Sequence, residues 1–149
     1  MHLAQLNVGK IIAPLESPEM AEFVARLATV NARADSAPGF IWRLQDEGAG
    51  ATSIRIFEDD SMIVNMSVWQ SPEALNNFVY KQSDHSEALR RRREWFESPT
   101  EAMVSCWIVA EGHRPSLEEA RSKLILLREV GNSPEAFSLK SASDYFSSD

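Results

Sequence analysis

A histidine, a run of arginines, two strand asparagines, a strand arginine and two indoles are the side chains in this sequence that could act on a small molecule. His85 follows Asp84 and precedes Leu89, Arg92, Arg93 and Phe96 at helical spacing, so these positions form one inward stripe. An inward imidazole can serve as acid, base or axial ligand, or can simply bond nearby backbone. The arginines at 90–93 span more than one helical turn, so at about 100° per residue they cannot all face water. Arg92 and Arg93 stand three and four residues from Leu89, which turns one of them toward the core. A buried guanidinium needs an anion. An internal carboxylate such as Asp46 or Glu47 fits, and so does the acidic group of a substrate. Arg43, on a predicted strand, carries the same two readings.

Other chemistries lack their signatures. His2 and His113 have no ligand-like spacing with His85, so no metal site is expected. There is no phosphate-binding glycine loop, no Ser-His-Asp spacing and no paired-cysteine motif. Cys106 is the one cysteine, set in an apolar strand with no basic neighbour, and reads as a small buried hydrophobe. The net charge of −7 argues against general nucleic-acid binding. No apolar run approaches the roughly 18 residues that span a bilayer, and residues 1–8 lack the pattern of a signal peptide. A cytoplasmic protein with neither membrane nor nucleic-acid partner is expected.

The elements that position these groups follow from periodicity and punctuation. Residues 2–9 read as a strand. Ser17-Pro18-Glu19 opens a helix that Pro38-Gly39 ends. Residues 40–45 are a strand, 48–50 a turn and 52–57 a short return strand; 62–69 is strongly β-like. Ser71-Pro72-Glu73 opens a second helix, which breaks near 82–84, restarts with Asp84 as cap and runs to Phe96. Residues 103–110 form the last core strand. Ser116 with Glu119 is a capping box for a helix that Gly131 closes. Pro134 to Leu139 adds a short edge strand, and 140–149 is predicted to be a flexible tail. Leaving the hairpin aside, the order is β-α-β-β-α-β with an appended C-terminal helix: a single ferredoxin-like α+β domain over 1–139.

Sorting strand residues by parity gives two unlike faces. One collects Ala4, Leu6, Val8, Phe40, Trp42, Leu44, Val64, Met66, Val68, Val104, Cys106 and Ile108. The other mixes Gln5, Asn7, Arg43, Asn65 and Ser67 with Trp69, Ser105 and Trp107. A second copy packed on the apolar face would close a two-sheet barrel and hide that patch. The mixed face fits the wall of a ligand cavity beneath the helices, or else a core whose polar groups are all satisfied.

The segments Phe40-Ile41-Trp42-Arg43-Leu44-Gln45, Ser67-Val68-Trp69-Gln70-Ser71, Phe78-Val79-Tyr80, His85, Arg91-Arg92-Arg93-Glu94-Trp95-Phe96, Gly112-His113-Arg114-Pro115 and Pro134-Glu135-Ala136-Phe137 resemble a bacterial family known as domain of unknown function 3291. The resemblance covers roughly residues 2 to 139. It implies the dimeric α/β-barrel superfamily, hence a homodimer, but no activity. That superfamily holds antibiotic-biosynthesis-type monooxygenases that need no cofactor and haem-degrading monooxygenases. The second group resembles this chain in Asn7, Trp69 and His85, which stand where it uses an Asn, a Trp and a His.

These readings point to a dimeric protein that binds a small apolar or aromatic ligand. As an enzyme it would be a cofactor-independent monooxygenase in which His85 or Asn7 orients the substrate. Trp69 and Trp107 would stack on it, with Arg43, Asn65 and Arg93 as further substrate contacts. The alternatives are a non-catalytic ligand-binding or dimeric interaction module, and a haem-binding or haem-degrading monooxygenase.

Overall fold

The computed structural model describes residues 1–44, 62–81, 94–99 and 101–146. The expected turn at 48–50, the strand at 52–57, the restarted helix with His85 and the arginine run including Arg93 lie outside them.

Strand β1 (His2–Lys10) is the axis of an antiparallel sheet. It pairs with β3 (Met62–Trp69) from Leu3 opposite Trp69 to Lys10 opposite Met62. On its other side it pairs with β4 (Val104–Val109), Gln5 facing Cys106. The remaining strand, β2 (Phe40–Arg43), pairs with β3, so the order is β2-β3-β1-β4. That is the ferredoxin-like plan expected from the sequence.

Helix α1 (Ala21–Asp35) follows a 3-10 turn at Pro18–Met20. Ser17 does not cap it as expected. Its Oγ donates backward to the Pro14 carbonyl at 2.6 Å, and the regular helix starts only after the turn. Gly39 then reverses the chain with φ 83°, and a Cβ there would lie 2.5 Å from Ala74 Cβ. The second helix, α2 (Pro72–Asn76), is capped as its sequence implies, Ser71 Oγ accepting from Ala74 N at 3.2 Å. It passes directly into a π-helical turn over Asn77–Lys81.

Two expectations are corrected. Trp95 and Phe96 do not end a helix. Phe96 bridges Ile11, Ile12 N donates to Trp95 O and Glu97 N donates to Lys10 O, so the segment runs beside the end of β1. The second concerns β4. Because Ala4 faces Trp107 and Gln5 faces Cys106, Ser105, Trp107 and Val109 share the apolar face, while Val104, Cys106 and Ile108 share the polar one. Parity within a strand says nothing of the phase between strands. A register shift between Phe40 and Trp42 likewise sends Phe40 to the polar face, opposite Trp69.

Helix α3 (Leu117–Val130) covers the apolar face. Ser116 Oγ accepts from Glu119 N, and Gly131 closes the helix at φ 76°. Ala120 and Leu124 pack with Ala4, Leu6, Val8, Val64, Met66, Val68 and Trp107. Trp107 Nε1 donates to Glu119 Oε2 at 2.8 Å, and Ser105 Oγ donates to the Lys123 carbonyl at 3.1 Å. The expected tail also packs in part. Helix α4 (Ala142–Tyr145) buries Ala142, and Tyr145 stacks on Phe137 at 5.0 Å. Phe137 in turn bridges Cys106 at the sheet edge, the short pairing expected after Pro134.

Over β1 and the middle of β3 the apolar face is hidden within one chain, Met66 being 1% exposed, while Trp42, Leu44 and Met62 stay half-buried. Met66→Glu is expected to cost about 3–5 kcal/mol by leaving an unpaired charge in that layer. Urea unfolding should give the same loss at every protein concentration. A loss that shrinks on dilution would assign the buried environment to an interface instead.

Candidate functional site

Between the polar sheet face and α1 lies a cavity of about 730 Å³. Its floor follows from the β1–β3 register. Leu3 and Trp69 come first, then Gln5 and Ser67, then Asn7 and Asn65, then Gly9 and Ile63. At about 3.4 Å per residue this floor is roughly 20 Å long.

Each end is aromatic. At one end Trp69 meets Phe40 edge-on at 5.4 Å and Phe78 at 5.3 Å. At the other, Phe23 lies 5.5 Å from Trp95 and 5.1 Å from Phe96. Gly9 permits that second cluster, because a Cβ there would sit 2.7 Å from the Phe96 ring. Helix α1 supplies the roof. Phe23, Leu27 and Val30 point at the sheet yet stay only half-buried, since the space between is open.

The middle of the floor is a buried polar chain. Trp69 Nε1 donates to Ser67 Oγ at 2.8 Å. Gln5 Nε2 donates to Ser67 Oγ at 2.8 Å and to Asn65 Oδ1 at 3.1 Å. Gln5 and Ser67 are 8% and 6% exposed. Asn7 is exposed at the rim.

Of the residues predicted for a site, Asn7, Asn65, Trp69 and Arg43 line this cavity. Arg43 does so with its guanidinium already engaged, Nε on Asp35 Oδ1 at 2.7 Å and Nη2 on Oδ2 at 3.2 Å. That carboxylate is an exposed one at the end of α1. Trp107 is not brought to the cavity; it lies on the other face, against α3. His85 and Arg93 lie outside the described residues. Gln5, Ser67, Phe23, Phe40 and Phe78 were not singled out in the sequence. Pairing β1 antiparallel to β3 would have found Gln5 opposite Ser67, whereas nothing local distinguishes a helical Phe above a cavity from one in a core.

Among the described lining residues none is a histidine. Among the described residues no three His, Cys, Asp or Glu side chains cluster to hold a metal. No described helix is long and apolar enough to cross a membrane.

Cys106, on the cavity side of β4 and beneath its lining, is wholly buried, and burial pushes its thiol up to about 12. At pH 8 a thiol reagent should therefore label the chain only when it opens, and at full rate in denaturant. The unfolded thiol ionises near 9 while the folded one does not, so this group's contribution to stability is intact below pH 9. It should fall between 9 and about 12; rapid labelling of the folded chain would contradict the burial. Ser67→Ala strands both the Trp69 and the Gln5 donors and should cost about 1–3 kcal/mol in thermal or urea unfolding. Asn7→Ala, at an exposed site, should stay within about 0.5 kcal/mol. Equal effects would mean the buried chain has been misassigned.

Comparison with known proteins agrees with this geometry. SnoaB, a cofactor-independent oxygenase from Streptomyces nogalater, superposes with a TM-score of 0.51 at 17% identity, over 74% of this chain and 94% of its own. A Chloroflexus aurantiacus protein provisionally described as an antibiotic biosynthesis monooxygenase gives 0.51 at 16%, over 76% and 98%. A conserved protein from Methanosarcina mazei gives 0.52 at 12%, over 74% and 94%. At such identities the likeness shows the fold alone, a mixed α+β ferredoxin-like sheet. No protein of curated function matches the chain. The model of the family described as Domain of unknown function (DUF3291) matches residues 2–148, and the chain belongs to that family.

Proposed function

We propose that the chain binds a small apolar or aromatic molecule in the cavity under α1 and oxygenates it without a cofactor. The observation that carries this reading is the cavity itself: about 730 Å³, aromatic at both ends, with hydrogen-bonding groups confined to its middle. Such a space suits a flat ligand held by its edges and oriented by a polar substituent. Among the described residues Asn65 and Asn7 would orient the ligand, while Trp69, 1% exposed between Phe40 and Phe78, would back the cavity wall. His85 and Arg93 carry no weight here, because no described contact supports them.

Without a cofactor the substrate must supply the electrons. A methylene group beside a conjugated carbonyl can lose a proton, and the resulting carbanion can reduce O2. One oxygen atom becomes a new carbonyl and the other leaves as water, so that CH2 and O2 give C=O and H2O. A polar floor that holds the conjugated system in place, with apolar walls that exclude water, favours that step. The likeness to SnoaB in fold supports this choice over other reactions. A homodimer belongs to the same proposal by resemblance to the dimeric α/β barrels, and sedimentation near twice 16.7 kDa would support it.

The test has two stages. Denatured protein is searched by mass spectrometry for a co-purified aromatic compound, and the intact chain is then given that compound with oxygen in metal-chelated buffer. Uptake of one O2 per product is the expected result. A bound compound without oxygen uptake would leave the rival reading, a binding module without turnover. A cavity that takes up no hydrophobic compound at all would overturn both.

A further inference from the structure

One side chain sets the polarity of the cavity floor. Trp69 Nε1 is a donor only, so its bond to Ser67 Oγ has a fixed direction. Gln5 Nε2 gives one hydrogen to that same oxygen and the other to Asn65 Oδ1. Both lone pairs of Ser67 Oγ are then occupied, and its own O–H is left to donate. Asn65, holding its oxygen toward Gln5, turns its Nδ2 hydrogens the other way. Neither the Ser67 hydroxyl nor Asn65 Nδ2 has an acceptor among the described residues. Ser67 is 94% buried by the complement of its 6% exposure, and a donor left unused at such a site is costly unless something in the cavity accepts it.

We infer that Gln5 is a positioning residue that turns the Ser67 and Asn65 donors into the cavity, so that the site selects ligands presenting an acceptor oxygen, as on an aromatic ketone. The inference rests on the cavity being a ligand site and adds what the ligand must offer there. The charges beside the cavity point the same way. Arg43 is held by Asp35 and Arg26 by Glu22, so the described lining offers a carboxylate no ready counter-ion, while a neutral carbonyl needs none. Reversing the amide of Gln5 would reverse the site. Its oxygen would accept from Ser67 and Asn65, the floor would present acceptors, and hydroxyls or amines would be selected instead.

Gln5→Glu makes that reversal covalently and almost without change of shape. The probes are 2-acetylnaphthalene and 2-ethylnaphthalene, alike in size but with a carbonyl only on the first, titrated into the full chain by calorimetry. At pH 8 Gln5→Glu should weaken the ketone about tenfold, the worth of a good hydrogen bond, and leave the hydrocarbon within about twofold. As the pH falls toward about 5, burial favours the protonated carboxyl, which can donate again, and part of the ketone affinity should return while the hydrocarbon stays flat. A role in packing alone would not produce that pH profile. Should Gln5→Glu fail to fold, the uncharged Gln5→Met should still weaken the ketone several-fold and spare the hydrocarbon. Equal losses on both compounds, or an unchanged ketone affinity in a folded variant, would overturn the inference while leaving the cavity a ligand site. If neither compound binds the unaltered chain, the cavity reading falls and the inference with it.

Discussion

Gln5 stands opposite Ser67 on one side of β1 and opposite Cys106 on the other, and that double register decides which face of the sheet can bind anything. Side chains alternate with a period of two, so a slip of one residue would exchange Gln5 and Asn7 for Ala4, Leu6 and Val8. Two amides would then lie beneath α3 without partners, and Ala4, Leu6 and Val8 would floor the cavity. Both neighbours resist the slip. Met66 and Val68 need α3's side of the sheet, while Ser67 needs two donors that only Trp69 and Gln5 supply. The register is held by apolar burial on one face and, on the other, by a hydroxyl oxygen that accepts two hydrogen bonds.

The cavity costs stability that a filled core would have kept. Walls without partner atoms forfeit dispersion contacts, and a void left in a packed interior is destabilising in proportion to its volume. Phe23, Leu27 and Val30 show this directly, for they face the sheet and remain half-exposed. The fold tolerates the loss because its principal burial is elsewhere. Leu6, Met66, Val68, Trp107 and Leu124 are at or below 1% exposure, and each such side chain contributes roughly 1.5–3 kcal/mol. Aromatic contacts brace the two ends, so the opening is confined to the middle, where the polar chain lies.

How far the sequence could be read depends on the range of the interaction that decides each feature. Strands and caps are local: alternation at 62–69 and the Ser71 cap appear in the structure as expected, and Ser116 accepts from Glu119 N, though the Glu119 carboxylate turns to Trp107 and His113 instead of completing the capping box. The two-faced sheet is nearly local, and within β1 and β3 the parity of Gln5, Asn7, Asn65, Ser67 and Trp69 holds. The phase of β4 is not local. Val104-Ser105-Cys106-Trp107 carries an apolar residue on either parity, so only pairing with β1 could assign Trp107 to α3's side. Trp95 and Phe96 fail for a related reason. Their helical stripe is plausible in isolation, but the Lys10 carbonyl accepts from Glu97 N and Ile12 N donates to Trp95 O, which draws the segment alongside the end of β1. Arg43 was legible as an ion-pair former, though its partner, Asp35, sits on α1 rather than in the turn that follows β2.

The same strand phase bears on assembly. With Ser105 and Trp107 turned to α3, that helix is tied down by two hydrogen bonds as well as by Ala120 and Leu124. A sheet-to-sheet dimer through this face must either displace α3 from Trp107 or use what α3 leaves uncovered. Displacement strands a buried indole N–H and opens apolar surface over β1 and β4, a cost that a second sheet would have to match. The uncovered part is the β2–β3 side, where Trp42, Leu44 and Met62 are packed on the core yet only half-buried. A partner that meets the chain there gains apolar contact without disturbing α3, and it leaves the polar floor on the opposite face untouched. The cavity and the half-buried apolar surface near β2 are thereby separated by the thickness of one sheet.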